Sequence, residues 1–69
     1  MDLRWEEGYL IEVRIENSAA VISANREGLL SLSNHLRTLA EEEPGSHIHL
    51  DAQNALEDGS DELILERIR

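Results

Sequence analysis

The sequence has no cysteine, no lysine and no phenylalanine, and only one tryptophan, one tyrosine and one proline. Without cysteine the chain can form neither disulfides nor thiolate metal sites, a composition typical of intracellular proteins. No apolar run approaches the ~20 residues needed to cross a bilayer, and the N-terminal residues lack the basic and apolar regions of a signal peptide. We therefore expect a cytoplasmic protein.

Positive charge is also scarce in this chain. Six arginines stand against 15 acidic residues, which gives a formal net charge of −9. Nucleic acids and anionic membranes attract Lys and Arg, so we expect the protein to bind neither. A basic protein partner would be attracted by electrostatic steering, although the same charge also serves solubility alone.

The length of 69 residues predicts one domain, residues 1–69. A domain of this size buries only about 60% of its unfolded surface. Because Phe is absent, the core must be built from Leu, Ile, Val and Ala. Small cores of this kind are commonly supplemented by oligomerisation, and we expect a homodimer.

The first part of the chain has the pattern of a β-hairpin. Residues 1–8 are interpreted as a short edge strand or a frayed arm. Apolar and polar residues then alternate from Tyr9 to Glu16, as in a half-buried strand. Asn17-Ser18 suits a tight turn, and Ala19–Ala24 is a second strand-like run. A two-residue loop pairs Glu16 with Ala19, which makes the facing inward residues apolar in both strands.

A helix is predicted to begin at Asn25, a favourable N-cap with Ser23 as its competitor, and to end before Pro44-Gly45. Gly28 in the first turn costs about 1 kcal/mol relative to Ala, so we expect close approach of the helix to the sheet or to a partner there. Residue spacings of three and four predict one buried helix face. The predicted buried face is Leu29, Leu32, Leu36, Leu39 and Ala40, and the predicted wet side is Ser31, Asn34, His35, Arg37 and Thr38.

Two more strands are predicted, at Ser46–Asp51 and Asp61–Ile68, separated by a polar loop with Leu56 as its apolar anchor. The order β-β-α-β-β indicates an α+β fold, a small two-layer sandwich with one helix packed on a four-stranded, mostly antiparallel sheet. The far face of that sheet is predicted to be a dimer interface, since it is half apolar and no helix covers it. Its apolar residues are Leu10, Val21, Ile64 and Ile68.

The outward side of the third strand carries His47, His49 and Asp51. Two imidazoles and a carboxylate are suitable Zn²⁺ ligands. Residues two apart on a strand are, however, about 7 Å apart, whereas ligand nitrogens lie about 2.1 Å from the metal. His35 is expected on the helix, across the sheet from this side. We therefore favour a solvent-facing polar strand over a metal site.

No catalytic constellation is evident. The acidic pairs lie in runs and turns, where solvation keeps paired carboxylates from acquiring different pKa values. The sequence contains no Gly-x-Ser-x-Gly nucleophile elbow and no phosphate-binding glycine loop. We expect a protein that is not an enzyme and that holds no cofactor.

Four motifs occur in a distinctive order: Ile22–Leu30, Pro44–Asp51, Leu56–Ser60 and Glu62–Glu66. Together they resemble the immunity protein 32 family of bacterial polymorphic toxin systems, over roughly positions 11–68. Ala24 stands where a glycine is expected in the family. The resemblance implies a small cytosolic protein that binds and neutralises a cognate toxin and has no catalytic residues.

An acidic immunity protein would suit a basic toxin, such as a nuclease, because opposite charge steers association. We expect the partner-binding residues to be His47, His49, Asp51, Glu57 and Asp58. Two alternatives stay open at this point. One is a small metal-binding protein that uses His47, His49 and Asp51, and the other is a structural homodimer.

Overall fold

The computed structural model describes residues 1–69. Its elements are strands β1 (Ile11–Glu16) and β2 (Ala19–Ala24), helix α1 (Arg26–Ala40), and strands β3 (His47–Leu50) and β4 (Leu63–Glu66). The predicted α+β class and β-β-α-β-β order are confirmed, although β1, β3 and β4 are shorter than the sequence pattern suggested.

The β1–β2 hairpin has the predicted register. Glu16 pairs with Ala19, and the pairing runs to Ile11 opposite Ala24. Asn17 and Ser18 have φ values of 50° and 66°, and positive φ at both central residues is what a two-residue type I′ turn requires. Turn chemistry and apolar alternation therefore select the same pairing.

The prediction of a single four-stranded sheet is wrong, because β1–β2 and β3–β4 are separate two-stranded antiparallel sheets. Residues 57–61, the edge segment, occupy the free edge of β1. Backbone N–H groups of the edge segment donate to the carbonyls of Ile11 and Val13 at 2.9 and 2.8 Å. The N–H groups of Val13 and Ile15 donate to side-chain oxygens of Ser60 and Asp61. Side chains thus complete the edge of β1 without a further strand.

One continuous far face consequently does not exist, and the dimer interface predicted there loses its basis. Leu10, Ile64 and Ile68 are exposed, but they belong to different parts of the chain and not to a single sheet. The core lies between the helix and the inner faces of the strands. Its seven buried apolar residues are Ile11, Val13, Leu32, Leu39, Ile48, Leu50 and Leu56.

Helix α1 begins as predicted. The Asn25 side-chain oxygen accepts the Gly28 N–H at 2.7 Å and the Leu10 N–H at 3.0 Å, so one residue caps the helix and fixes the start of β1. A Cβ on Gly28 would overlap the Leu10 carbonyl oxygen and lie 2.9 Å from atoms of Ala24 and Ile11. The predicted close approach at Gly28 is confirmed.

The buried side of the helix is rotated from the predicted one. Leu32 and Leu39 are buried as expected, but Leu29, Leu36 and Ala40 are exposed. The buried positions beside Leu32 and Leu39 are Gly28, Ser31 and His35. The prediction that placed Ser31 and His35 on the wet side is therefore wrong, and the reason lies in the N-terminal segment.

Residues 1–10 contain no strand, and they pack along the helix instead. The Trp5 ring lies 4.1 Å from the His35 ring and 4.5 Å from the Tyr9 ring, centroid to centroid. The Glu6 N–H donates to the Ser31 hydroxyl at 2.8 Å. This segment buries a helix flank that the periodicity of the helix alone assigns to solvent.

Candidate functional site

Strand β3 separates an apolar side from a polar side. Ile48 and Leu50 are buried, while His47 and His49 are exposed, as expected from the alternation of side chains along a strand. The two imidazole rings meet edge to face, with their centroids 4.8 Å apart. The predicted pair of histidines is therefore brought together on the surface.

Strand β4 and Glu62, the residue before it, complete the same surface, and none of their residues was predicted as a site residue. The antiparallel register places Glu66 opposite His47 and Ile64 opposite His49. The carboxylate of Glu62 lies 3.1 Å from Nδ1 of His49. We call these five residues the histidine face. Alternation in β4 already indicates from the sequence that Ile64 and Glu66 point outward. Placing them beside the histidines, however, requires the β3–β4 register.

Asp51 does not join the histidines. Its carboxylate accepts the N–H groups of Gln53 and Asn54 at 2.8 and 3.1 Å, which is an Asx turn. The Asn54 side chain in return accepts the Asp51 N–H at 2.9 Å. Asp51 thus ends β3 and shapes the following turn, and its carboxylate is directed to the backbone.

Within the predicted triad, Asp51 and one ring nitrogen of each histidine have partners. His49 contacts Glu62, Nδ1 of His47 lies 3.2 Å from the Gly45 carbonyl oxygen, and Asp51 is bonded within its turn. No group of three or more His, Cys, Asp or Glu residues is placed to hold a metal ion. The geometry therefore gives no support to the metal-binding alternative.

Glu57 and Asp58 lie in other surroundings. Glu57 lines an open groove of about 360 Å³ beside the start of β1, together with Leu10, Glu12 and Asn25. Asp51 and Glu62 line a different groove of similar volume. Asp58 is exposed in the turn before Gly59. The five predicted partner-binding residues, two histidines and three acidic residues, thus do not form one compact cluster.

His35 differs from the two histidines of the histidine face because it is buried in the core. Its side chain is 0% exposed, and neither ring nitrogen has a hydrogen-bond partner in the protein. Burial lowers the pKa of His35, because the charged imidazolium is disfavoured away from water, and the nearby Arg4 carbonyl opposes this with a smaller effect. His35 is a neutral core residue at pH 7.

Fold and surface together define the class of this protein. The chain is a small α+β domain whose most distinctive surface is an exposed face of histidines, carboxylates and one isoleucine. No helix has the length and apolar character required to cross a membrane.

The sequence matches the family model of immunity protein 32 over residues 20–68. Because this match covers most of the chain, the protein belongs to the immunity protein 32 family, as the resemblance of its motifs predicted. The matched region begins in β2 and includes the helix and the histidine face. No curated protein and no solved structure matches the chain. Family membership indicates an immunity-protein role, and immunity proteins in general are not enzymes.

Proposed function

We propose that this protein is an immunity protein that binds and neutralises a cognate bacterial toxin through an acidic surface in the cytoplasm. The observation that carries the proposal is the family match over residues 20–68. The toxin is proposed to be a basic domain, since the chain has a net charge of −9 and association is fastest between surfaces of opposite charge.

The histidine face is the proposed centre of contact. Ile64 is 52% exposed there, flanked by the carboxylates of Glu62 and Glu66. Binding surfaces commonly combine an apolar contact that loses water with charged groups at the rim. Asp51 and Glu57 with Asp58 would extend the negative rim of this surface. An arginine or lysine of the toxin can then pair with a carboxylate while an apolar side chain covers Ile64.

The arginines of the chain do little to neutralise its acidic surface. Arg14 contacts Glu12 and Glu16, Arg26 lies 3.5 Å from Glu27, and Arg67 donates to the backbone carbonyl of Glu42. The carboxylates of the histidine face have no arginine among these contacts. A basic partner is therefore the cation source that this face best accommodates.

Co-expression with the polypeptide encoded by the adjacent gene tests the proposal. Growth arrest caused by that polypeptide should be relieved by the wild-type protein, and purified samples of the two should form a complex. The double variant Glu62→Arg/Glu66→Arg should lose protection, with association at least about tenfold weaker. Glu7→Arg/Asp2→Arg, with the same change in charge at the N-terminus, is the matched control and should protect.

Absence of toxicity from the neighbouring polypeptide together with absence of binding would refute the immunity role. Protection that survives in the Glu62→Arg/Glu66→Arg variant would move the contact away from the histidine face. The association rate should also fall steeply between low and physiological ionic strength, because salt screens steering between exposed charges. An association rate that is indifferent to salt would contradict a basic toxin surface.

We also propose that the protein forms a homodimer. The core contains only seven buried apolar residues, and domains of this size often gain stability from association. Several large apolar side chains, including Ile15, Ile22, Leu29 and Leu36, are exposed in the single chain. A second copy would cover part of this apolar surface.

A further inference from the structure

The outer edge of β2 has unpaired backbone groups. Ile11, Val13 and Ile15 of β1 direct their hydrogen-bonding groups to the edge segment. Because hydrogen-bonded and non-hydrogen-bonded pairs alternate in an antiparallel ladder, their partners Ala24, Ile22 and Ala20 direct theirs away from β1. No backbone hydrogen bond of the turns, loops or caps reaches these three residues. Each therefore presents a free N–H and a free C=O.

The composition of β2 leaves this edge unprotected. Ala19–Ala24 contains no ionisable residue, no proline and no bulge, and most of its residues are exposed. β1 and β4 contain glutamates, and β3 contains two histidines. Natural edge strands normally carry charges or proline that prevent pairing with another strand. β2 is thus the one strand without an ionisable residue, and its outer edge is open.

We propose that β2 pairs antiparallel with β2 of a second copy, which gives the homodimer proposed above its interface. The molecular two-fold axis passes beside Ile22, so that Ile22 faces its own counterpart and Ala20 faces Ala24 of the second copy. In this register all three free N–H groups and all three free C=O groups of each strand are paired. The two hairpins then form one continuous four-stranded antiparallel sheet.

The absence of charged side chains in β2 favours a second copy of the chain over a basic partner at this edge. Two chains of net charge −9 repel wherever their carboxylates face each other, and β2 is the strand at which they meet without charged side chains. A basic toxin, by contrast, would gain no carboxylate contact from the strand itself. A single strand pairing buries less area than a standard stable interface, so we expect a dimer that dissociates on dilution.

Sedimentation velocity of the full chain at high micromolar concentration tests the interface. The wild-type protein should sediment as a dimer that dissociates on dilution. Ile22 is 42% exposed, so Ile22→Lys is compatible with the fold, and it places like charges opposite each other at the two-fold axis. Dimerisation should weaken about tenfold or more. Ile64→Lys, which makes the same change in charge on β4, should dimerise as the wild type does.

The lysine variant separates geometry from net charge. It lowers the net negative charge of the chain, so general repulsion between copies decreases while the proposed strand pairing is disrupted. If Ile22→Lys and Ile64→Lys dimerise equally well, the interface lies elsewhere and the proposed strand pairing is wrong. A monomeric wild-type protein at high micromolar concentration overturns both the interface and the dimer, without affecting toxin neutralisation, which growth protection tests separately.

Single cysteine variants test the register directly, because the chain contains no other thiol. Ile22→Cys would place two Cα atoms about 5.5 Å apart across the axis, within the range that a disulfide spans. Ala20→Cys is the matched control on the same strand and face. Its counterpart would be offset by four residues, about 14 Å along the strand. Rapid oxidation of Ile22→Cys alone supports the register, and equal cross-linking of both variants refutes it.

A strand of the toxin is the competing occupant of this edge. In that case the wild-type protein would be monomeric, and Ile22→Lys would lose protection against the polypeptide of the adjacent gene, while Ile68→Lys, the same change at an exposed residue outside the histidine face, would keep it. That outcome overturns the proposed pairing of two copies and reassigns the β2 edge to the toxin.

Discussion

His35 shows how one side chain is controlled by a segment distant in sequence. Its ring is fully buried against Trp5, and neither of its nitrogens has a hydrogen-bond partner in the protein. An unpartnered buried polar group costs about 1–3 kcal/mol. The neutral form of the ring is the one compatible with this site, and stability therefore becomes linked to pH.

We expect His35 to destabilise the fold in mild acid. The pKa of His35 is lowered in the folded protein, whereas an unfolded histidine titrates near 6.5. Above the unfolded pKa this destabilisation by His35 is absent. Below about pH 6.5 the free energy of unfolding falls, because the unfolded chain binds a proton that the folded protein does not. Urea denaturation at pH 7 and pH 5, followed by circular dichroism, measures the loss.

The comparison with variants isolates His35 from the many carboxylates that also titrate. His35→Leu should lose less stability than the wild type between pH 7 and pH 5, by up to about 1.4 kcal/mol per pH unit. Gln53→Leu, a change at an exposed position that removes no titratable group, should retain the wild-type pH dependence. Equal pH dependence in wild type and His35→Leu would contradict the linkage.

Gly28 is the second residue whose role is set by its neighbours. Replacing an ordinary helical glycine with alanine gains about 1 kcal/mol. Gly28→Ala should instead destabilise the protein by about 1–3 kcal/mol, because the new Cβ would overlap the backbone oxygen of Leu10. Urea denaturation measures the change. Ser33→Ala, on the exposed side of the helix, should shift stability by less than about 0.5 kcal/mol, and a stabilised Gly28→Ala would disprove the close approach.

These two residues also mark what the sequence could and could not reveal. Gly28 was predictable, because an unfavourable residue in a helix needs a steric reason. The burial of His35 was not, because the ring that packs on it, Trp5, belongs to a segment without regular secondary structure. Helical periodicity describes one face of α1, and it contains no information about which loop packs on the flank.

At the level of elements, the edge segment decides the architecture. The Val13 N–H donates to the Ser60 hydroxyl at 3.2 Å, and the Ile15 N–H donates to the Asp61 carboxylate at 2.9 Å. Alternation and turn chemistry predicted every strand, including the hairpin register. They could not predict that side chains of a loop would satisfy the edge of β1, and the four-stranded sheet was inferred for that reason.

Removing the Asp61 carboxylate should open one end of β1. In Asp61→Ala the amide of Ile15 loses its acceptor, and its hydrogen exchange should accelerate about tenfold to a hundredfold, since a bond to a charged acceptor contributes about 1.5–3 kcal/mol. The amide of Arg14, which faces Val21 in β2, should change little. Asp58→Ala is the control, and uniform acceleration at both amides would indicate general destabilisation of the hairpin instead.

For the whole molecule, excess negative charge lowers stability, although we propose that it also serves recognition. Net charge far from zero destabilises a compact state through self-repulsion, and the chain carries −9 on 69 residues. Part of this charge is placed unfavourably, since Glu41 is the C-cap of α1, where the negative end of the helix dipole repels a carboxylate. An acidic surface retained at such a cost is consistent with selection for a basic partner.

Two charge reversals separate the global effect from the local one. Glu41→Lys should stabilise the protein by relieving both self-repulsion and the dipole, whereas Asp58→Lys changes the net charge equally at an exposed turn. We expect the free energy of unfolding of Glu41→Lys to exceed that of Asp58→Lys by about 0.3–1 kcal/mol at low ionic strength. Urea denaturation measures the difference. High salt should reduce the gain of each variant, since exposed charges are screened within about 10 Å at 0.1 M. If the two variants are equally stable at low salt, net charge alone determines the effect and the helix terminus contributes nothing.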